Sequence, residues 1–247
     1  MLQRLIHSIR FRARRRQLGL NDTAADTTKF AARIAGRRIE LSFPAGEREV
    51  LIHEFGKIFL EDCYELAALP RRLATVLDIG ANVGLFSLAA RDRFRRATIH
   101  CYEPNPALAA ALRANVAPFG IVPHLEAVGD RTGRISLQRQ QNSLHTTAAL
   151  DADGALPQVS LTEAVQRLGG RIDLLKLDCE GAEWAQLECR EAWSAVRHLV
   201  MEYHLWARPG ATLEKLLVVL RGLGFSILRV APSADGSFGL LRAARTP

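Results

Sequence analysis

The chain has 247 residues, of which 48% are hydrophobic and 24% are charged, a composition that excludes global disorder and supplies the core of one large globular domain. No apolar run approaches the about 18 to 20 residues that cross a bilayer, and the start lacks a secretory signal, so we expect a cytoplasmic protein. The net charge of +7 gives weak support for nucleic-acid binding, because six arginines precede the first acid, Asp22, and the remaining chain is nearly neutral: Arg4, Arg10, Arg12, Arg14, Arg15 and Arg16.

Residues 1–20 form a basic segment in which apolar side chains recur at helical spacing: Leu2, Leu5, Ile6 and Ile9. One hypothesis is an interfacial helix that makes peripheral contact with an anionic membrane at its inner face. The alternatives are an exposed tail and a helix packed on the domain, since runs of charge are usually solvated. A stretch rich in Asp, Thr and Ala follows, so residues 1–28 are predicted to be an N-terminal segment and linker.

Residues 29–70 are predicted to form a cap that precedes the main fold. Within this cap, residues 38–55 have the pattern of two short strands around a turn at residues 44–46, where Pro44 and Gly46 favour a reversal of the chain.

From residue 71 to residue 247 the pattern becomes regular. Strands are predicted near residues 75–79, 98–103, 122–128, 172–178 and 198–204, with helices between them near residues 83–94, 106–116, 162–168 and 212–222. This alternation predicts an α/β domain with a mostly parallel sheet and helices on both faces. Two more apolar segments, residues 226–230 and 238–243, predict a C-terminal antiparallel hairpin that completes seven strands.

A glycine turn between the first strand and the first helix of this domain is the expected ligand site, because strand ends in such sheets open beside a helix N-terminus. The turn runs from Gly80 to Gly84 and carries Asn82 where a nicotinamide-binding loop has its second glycine, so close packing of a pyrophosphate is disfavoured. Asp78, just before the turn, would repel a diphosphate but suits a cationic ligand. These features predict S-adenosylmethionine.

The next strand ends at Glu103, before Asn105 and Pro106, which favour the start of a helix. An acid at this distance from the glycine turn is placed to accept hydrogen bonds from ribose hydroxyls, although a lone glutamate is usually a surface charge. Asp130, after the third strand, resembles the position that borders the adenine in such folds; an ordinary turn aspartate is the alternative.

Several motifs occur in the order found in the FkbM family of methyltransferases: VLDIGANVGLFSL, CYEPNP, AVGDRTG, IDLLKLDCEGAEW and MEYH. The resemblance covers about residues 56–231. It implies a class I methyltransferase fold, which is Rossmann-like, with S-adenosylmethionine as methyl donor and O-methylation of a sugar or related small metabolite.

The fourth predicted strand ends abruptly in a cluster of carboxylates: Asp178, Glu180 and Glu183. Like charges held close together raise at least one pKa, which favours a general base for a substrate hydroxyl. Glu183 has the alternative role of capping the next helix. Lys176, within the strand, is predicted either to orient the substrate or to form a structural ion pair.

The fifth strand ends with Glu202 and His204, which share a face because strand side chains alternate. His204 is a second candidate base, with an ordinary hydrogen-bonded histidine as the alternative. The clustered acids would also accept a divalent cation, but we rank this second and predict no metal. We predict catalytic roles for Asp178, Glu180, His204 and Lys176 and cofactor contacts from Asp78, Gly80, Asn82, Gly84, Glu103, Asp130 and Asp178.

The sequence therefore predicts an O-methyltransferase that acts on a sugar, a glycan or a related small metabolite. The alternatives are an N-methyltransferase acting on RNA or another macromolecule and a non-catalytic scaffold that binds S-adenosylmethionine. Base methylation is disfavoured because the usual Asn/Asp-Pro-Pro-Tyr/Phe string is replaced by residues 178–181. The acceptor has no signature in the sequence, since loops and the cap select it.

Overall fold

The computed structural model describes residues 11–20, 30–138, 147–151 and 153–245. Its central feature is a seven-stranded sheet, whose strands in chain order are β3 (Thr75–Ile79), β4 (Thr98–Tyr102), β5 (Val122–His124), β10 (Ile172–Leu177), β11 (Val196–His204), β12 (Phe225–Pro232) and β13 (Phe238–Arg245). Their spatial order is β12-β13-β11-β10-β3-β4-β5. The five strands from β11 to β5 run parallel, and β13 lies antiparallel between β11 and β12. The predicted fold class, with its C-terminal hairpin, is confirmed.

In the described part of the chain six α-helices follow the sheet strands or lie between them: α3 (Leu85–Arg93), α4 (Ala109–Val116), α5 (Leu161–Arg167), α6 (Glu183–Leu187), α7 (Arg190–Trp193) and α8 (Leu213–Gly222). The first residues of α5 and α8 are stabilised by side-chain caps, since Ser160 and Thr212 each accept a hydrogen bond from a backbone N–H three residues later. The short helices α6 and α7 were not predicted from the sequence.

Alternate residues of the central strands pack into two separate hydrophobic cores, which is why helices cover both faces of the sheet. Val76 and Leu174 pack with the buried faces of α3 and α4, whereas Leu77 and Leu175 pack with those of α5 and α8. Side chains of a strand point to opposite faces in turn, so a strand buried on both faces has a continuous apolar sequence.

A smaller four-stranded sheet follows β5 along the chain and was not predicted from the sequence. It consists of β6 (Ala127–Gly129), β7 (Gly133–Gln138), β8 (Thr147–Leu150) and β9 (Leu156–Ser160). The spatial order of these strands is β6-β9-β7-β8. The single strand predicted near residues 122–128 is therefore wrong. The chain leaves the main sheet after β5 and pairs β6 with β9 instead, a partnership that local periodicity does not reveal.

The cap contains one hairpin and one helix instead of the two strands predicted for residues 38–55. Strands β1 (Ala31–Ile34) and β2 (Arg37–Glu40) pair with each other, and α2 (Arg48–Phe55) follows, extended by a π-helical turn at Gly56–Leu60. Leu51 and Phe55, four residues apart, are both buried on α2, so a helical period explains these apolar residues better than a strand period. The cap shares its core with α3 and α4.

Residues 11–17 are helical and pack against the cap, as the packed-helix alternative requires for this part of the segment. Leu18 is fully buried, and Arg14 forms an ion pair with Asp92 at 2.9 Å while donating a hydrogen bond to the Phe59 carbonyl. Residues 1–10 and the predicted linker at 21–28 lie outside the described residues, so membrane contact by residues 1–20 stays a prediction. Among the described residues no helix is both long and apolar enough to span a bilayer.

Candidate active site

The glycine turn between β3 and α3 is held against two neighbouring strands. The backbone N–H groups of Gly80 and Ala81 both donate to the Tyr102 carbonyl at the end of β4. On the other side, a Cβ atom at Gly80 would lie 1.7 Å from the Asp178 carbonyl oxygen, and the φ of Gly80 is +77°. Only glycine fits this position, because it must accept both the left-handed conformation and the close approach of the next strand end.

A cavity opens at the carboxyl ends of the parallel strands, next to this turn. Four carboxylates line it, and among the described residues no lysine or arginine does. Its acidic lining comprises Glu103, Glu126, Asp178 and Glu180, and the remaining walls include Gly80, Asn82, Tyr102, Val128, Leu137 and Gln158. The arrangement favours a cationic ligand over one that carries phosphates.

Glu103 lies at the cavity wall and also fixes the shape of the glycine turn. Its two carboxylate oxygens accept backbone hydrogen bonds from Asn82 and Asn105, each at 2.9 Å. Burial raises the pKa of Glu103, and these two backbone hydrogen bonds act in the opposite direction. Each oxygen has a further lone pair, so Glu103 can still accept hydrogen bonds from ligand hydroxyls, as its predicted ribose role requires.

Asp78, which was predicted to contact the cofactor directly, lies behind the turn and away from the cavity. Its side chain is fully buried and does not line the cavity. Asp78 accepts a hydrogen bond from Ser87 at 2.6 Å and lies 3.3 Å from the Lys176 ammonium group. In the register of the sheet Lys176 stands opposite Asp78, so the neighbouring strand supplies the cation that Asp78 faces.

Lys176 forms the structural ion pair that was one of its two predicted roles, and its predicted catalytic role is not supported. It is 3% exposed, and its ammonium group donates to the carbonyls of Ile79 and Gly80. Burial acts to lower its pKa, but the charges of Asp78 and Asp178 outweigh burial and raise the pKa. Lys176 therefore remains a cation that holds the glycine turn, out of contact with the cavity.

Two other predicted cofactor contacts lie away from the cavity. Gly84 begins α3, and a Cβ there would approach Val116 at 2.7 Å, so its small size serves helix packing. The Asp130 carboxylate pairs with its neighbour Arg131 at 2.7 Å. Asp130, which was predicted to border the adenine, does not line the cavity, whereas Glu126, Ala127, Val128 and Leu137 do. Ala127 and Val128 belong to the AVGDRTG motif, but no sequence pattern marked Glu126 or Leu137.

The catalytic candidates at the ends of β10 and β11 come together, and Glu183 joins them. Glu183 is buried at the start of α6, where its Oε1 accepts hydrogen bonds from the Cys179 N–H and from His204 Nδ1, both at 2.9 Å. The other ring nitrogen, His204 Nε2, lies 3.7 Å from the Glu180 carboxylate. Glu180 has a φ of +51°, a conformation that turns the backbone sharply between β10 and α6.

Protonation of this group is strongly shifted by its surroundings. Burial raises the pKa of Glu180 to about 8, against the opposing charge of His204. Burial acts to lower the pKa of His204, but the hydrogen bond and charge of Glu183 outweigh it, together with the other carboxylates, and raise the pKa to about 9. Burial and the charge of Asp178 raise the pKa of Glu202 to about 7. Such shifts are typical of acid–base sites.

The cap contributes a residue that the sequence did not mark. Tyr64 is buried edge-on against Phe86, and its hydroxyl donates a 2.8 Å hydrogen bond to the Asp178 carboxylate. Asp178 is also 3.5 Å from the Lys176 ammonium group. The cap therefore helps to orient a carboxylate that lines the cavity, and only the tertiary contact reveals this, because Tyr64 and Asp178 are 114 residues apart.

In the described part of the chain, one group of side chains has the spacing of a metal site: Asp178, Glu183 and His204, whose ligand atoms lie within 4.8 Å of one another. Glu183 Oε1 and His204 Nδ1 already form a hydrogen bond with each other. A metal ion held by these two atoms would have to replace this bond, and the bond as observed is of the kind found in acid–base pairs.

Comparison with known proteins places these residues in one family. The family model described as "Methyltransferase FkbM domain" matches residues 78–227, which is more than half of the chain. "Methyltransferase sdnD" of Sordaria araneosa is 28% identical over 233 residues, covering 77% of this chain and 88% of that protein. "31-O-demethyl-FK506 methyltransferase FkbM" of Streptomyces tacrolimicus is 29% identical over 224 residues, covering 74% and 84%.

A solved structure supports the fold. The magnesium protoporphyrin IX methyltransferase ChlM of Synechocystis PCC 6803, solved with bound SAM, superposes with a TM-score of 0.51 and is 14% identical, covering 83% of this chain and 86% of that one. At this identity the likeness concerns the architecture alone.

Proposed function

Because the chain belongs to the FkbM family of methyltransferases and is an S-adenosylmethionine-dependent methyltransferase, we propose that it methylates a hydroxyl group of a sugar, a glycan or a related small metabolite. The observation that carries this proposal is the acidic cavity at the strand ends, next to the buried pair of Glu183 and His204. Neither feature would suit a phosphate-bearing cofactor.

The residues of the cavity fit S-adenosylmethionine. This cofactor carries a positively charged sulfonium and an ammonium group, and four acidic side chains line the cavity with no basic residue among the described lining. Two of these acids also have a cation behind the lining, since Glu126 pairs with Arg167 at 3.0 Å and Asp178 lies 3.5 Å from Lys176. Glu103 is fixed by two backbone N–H groups and fits the ribose hydroxyls, whereas Asp178 fits the cationic part of the ligand. Val128 and Leu137 offer apolar walls of the kind that an adenine ring requires.

When bound, the cofactor supplies a methyl group on a good leaving group, so the protein has to align the acceptor oxygen and remove its proton. We assign the removal of this proton to Glu180, which lines the cavity and whose pKa of about 8 suits a general base near neutral pH. His204 lies behind Glu180 and is held by Glu183, so its positive charge stabilises the ionised form of Glu180.

The name of one relative supports an oxygen acceptor. The Streptomyces relative is named for methylation at a position written 31-O, which makes it an O-methyltransferase of a small molecule. We extend this reaction type to the present chain, in which the ionised carboxylate of Glu180 can accept the proton of a neutral hydroxyl. A sugar, a glycan and another metabolite all carry such a hydroxyl, and the cap and loops would select among them.

The test uses the purified chain and isotopically labelled S-adenosylmethionine. Calorimetry should show binding of the cofactor, and incubation with small-molecule extracts should give a labelled product that mass spectrometry identifies as an O-methyl ether. The variant Glu180→Gln should bind the cofactor but transfer the label about 100-fold more slowly, as expected for loss of a general base.

A matched control is Glu191→Gln, at an exposed position of α7, which should transfer at the unaltered rate. A labelled N-methyl product would contradict the proposed acceptor. Binding of the cofactor without transfer to any extract or macromolecule would favour the scaffold alternative.

A further inference from the structure

A second recess lies at the opposite end of the sheet from the active site and is lined by arginines. We call it the arginine groove; its volume is about 880 Å³. Among the described residues eight arginines and one aspartate line it, which leaves seven positive charges without a compensating acid in that lining. The basic residues are Arg71, Arg72, Arg93, Arg95, Arg96, Arg171, Arg197 and Arg245.

The parallel topology brings these arginines together from distant parts of the chain. Arg71 and Arg72 precede β3, Arg95 and Arg96 precede β4, and Arg171 directly precedes β10. The amino ends of parallel strands meet at one edge of the sheet, whereas the active site lies at the carboxyl ends. Beyond the N-terminal arginines the chain is nearly neutral in total, so its net charge does not imply a basic surface, and only the arrangement of the strands brings these arginines together.

Most of these charges face solvent without a protein partner. The side chains of Arg71, Arg72, Arg95, Arg96 and Arg197 are exposed and make no hydrogen bond or ion pair with the part of the chain that the structure describes. Arg171 is 3.7 Å from Asp173, which also accepts the Ala74 N–H. Arg93 and Arg245 donate to backbone carbonyls, which leaves their charge uncompensated. Clustering like charges is unfavourable unless an anion offsets the repulsion.

We propose that the arginine groove binds a soluble ligand that bears at least two phosphate groups. We favour phosphate groups over the carboxylates of a protein partner because of their charge density. A phosphate monoester or terminal phosphate carries about 1.5 to 2 negative charges at neutral pH, whereas each carboxylate carries one and would have to enter the recess on its own side chain. The planar guanidinium group pairs with phosphate oxygens through two parallel hydrogen bonds.

Two other polyanions fit the groove less well. Among the described lining residues the rings are the buried Phe94 and the half-buried His198, so the groove offers no exposed aromatic surface on which nucleic-acid bases would stack. The exposed large hydrophobic residues of the described chain lie elsewhere, and the charges line a recess that a flat bilayer cannot enter.

The experiment measures binding of tripolyphosphate to the full chain by calorimetry at about 50 mM and about 300 mM NaCl, since salt screens such contacts. The double variant Arg95→Gln/Arg96→Gln should weaken binding about tenfold or more, because it removes two charge-assisted contacts. The control, Arg190→Gln/Arg221→Gln, removes two exposed arginines outside the groove and should bind like the unaltered protein. Thermal unfolding without ligand verifies that both variants are folded.

Equal weakening in the two double variants would overturn the proposal, because binding would then follow overall charge. Absence of tripolyphosphate binding would overturn it as well. Tighter binding to a single-stranded oligonucleotide, or binding only to vesicles that contain a phosphorylated lipid, would assign the groove to another class of partner. None of these outcomes depends on methyl transfer, and S-adenosylmethionine binding should be the same in all three proteins.

Discussion

The substitution Glu183→Gln tests the buried pair at the centre of the site. In the unaltered protein the hydrogen bond and charge of Glu183 overcome burial and raise the pKa of His204 from 6.5 to about 9. A neutral glutamine keeps an oxygen that can accept from Nδ1 but removes the charge, so the pKa of His204 should fall towards or below 6.5. The change corresponds to roughly 3 kcal/mol in the preference for the charged imidazole, at about 1.4 kcal/mol per pKa unit.

The raised pKa of His204 also makes the free energy of unfolding depend on pH, in a direction that can be predicted. A group with a raised folded pKa stabilises the folded state fully below its unfolded pKa, and this stabilisation is lost as the pH rises through the folded pKa. For His204 the contribution should be complete below pH 6.5 and should disappear through about pH 9. In Glu183→Gln this part of the pH dependence should be absent.

Two measurements report the protonation of His204 and its effect on stability. NMR titration of the ring protons, assigned with His204→Asn, gives its pKa directly, and urea unfolding between pH 6 and pH 10 gives the pH dependence of the free energy of unfolding. Glu191→Gln on the surface of α7 is the control and should titrate like the unaltered protein. A His204 pKa near 9 in Glu183→Gln, or near 6.5 in the unaltered protein, would refute the reasoning.

Three further predictions follow from single contacts. Gly80→Ala should lower the free energy of unfolding by about 3 kcal/mol or more in urea unfolding, because its Cβ meets the Asp178 carbonyl at 1.7 Å, whereas Gly236→Ala, with the same sign of φ and no nearby atom, should cost less. The rate of methyl transfer should rise with pH through about 8 as Glu180 loses its proton, and a rate independent of pH from 6 to 9 would contradict this role. Tyr64→Phe should weaken binding of S-adenosylmethionine about tenfold in calorimetry, because Asp178 loses its 2.8 Å hydrogen bond, and unchanged binding would show that Tyr64 does not orient Asp178 for the cofactor.

The fold could be predicted because its signals are local. Apolar strands alternate with amphipathic helices, the glycine turn marks the first strand end, and acids follow the buried runs that end near Glu103 and Asp178. The small second sheet could not be predicted in the same way, since β6 pairs with β9 across about thirty residues and both strands are short. The helix α2 was misread because a short apolar segment fits either period.

Residue type and order along the chain are sufficient to predict the class of protein and the set of acids from which the site is built. The neighbours of each acid, in contrast, depend on how the strands are arranged in the sheet. Asp78 and Glu103 both lie near the carboxyl ends of neighbouring strands, yet Asp78 is within its strand, opposite Lys176, and is buried, whereas Glu103 lies one residue beyond its strand and reaches the cavity. The arginine groove has the same origin, since net charge sums over the chain and the sheet determines which charges become neighbours.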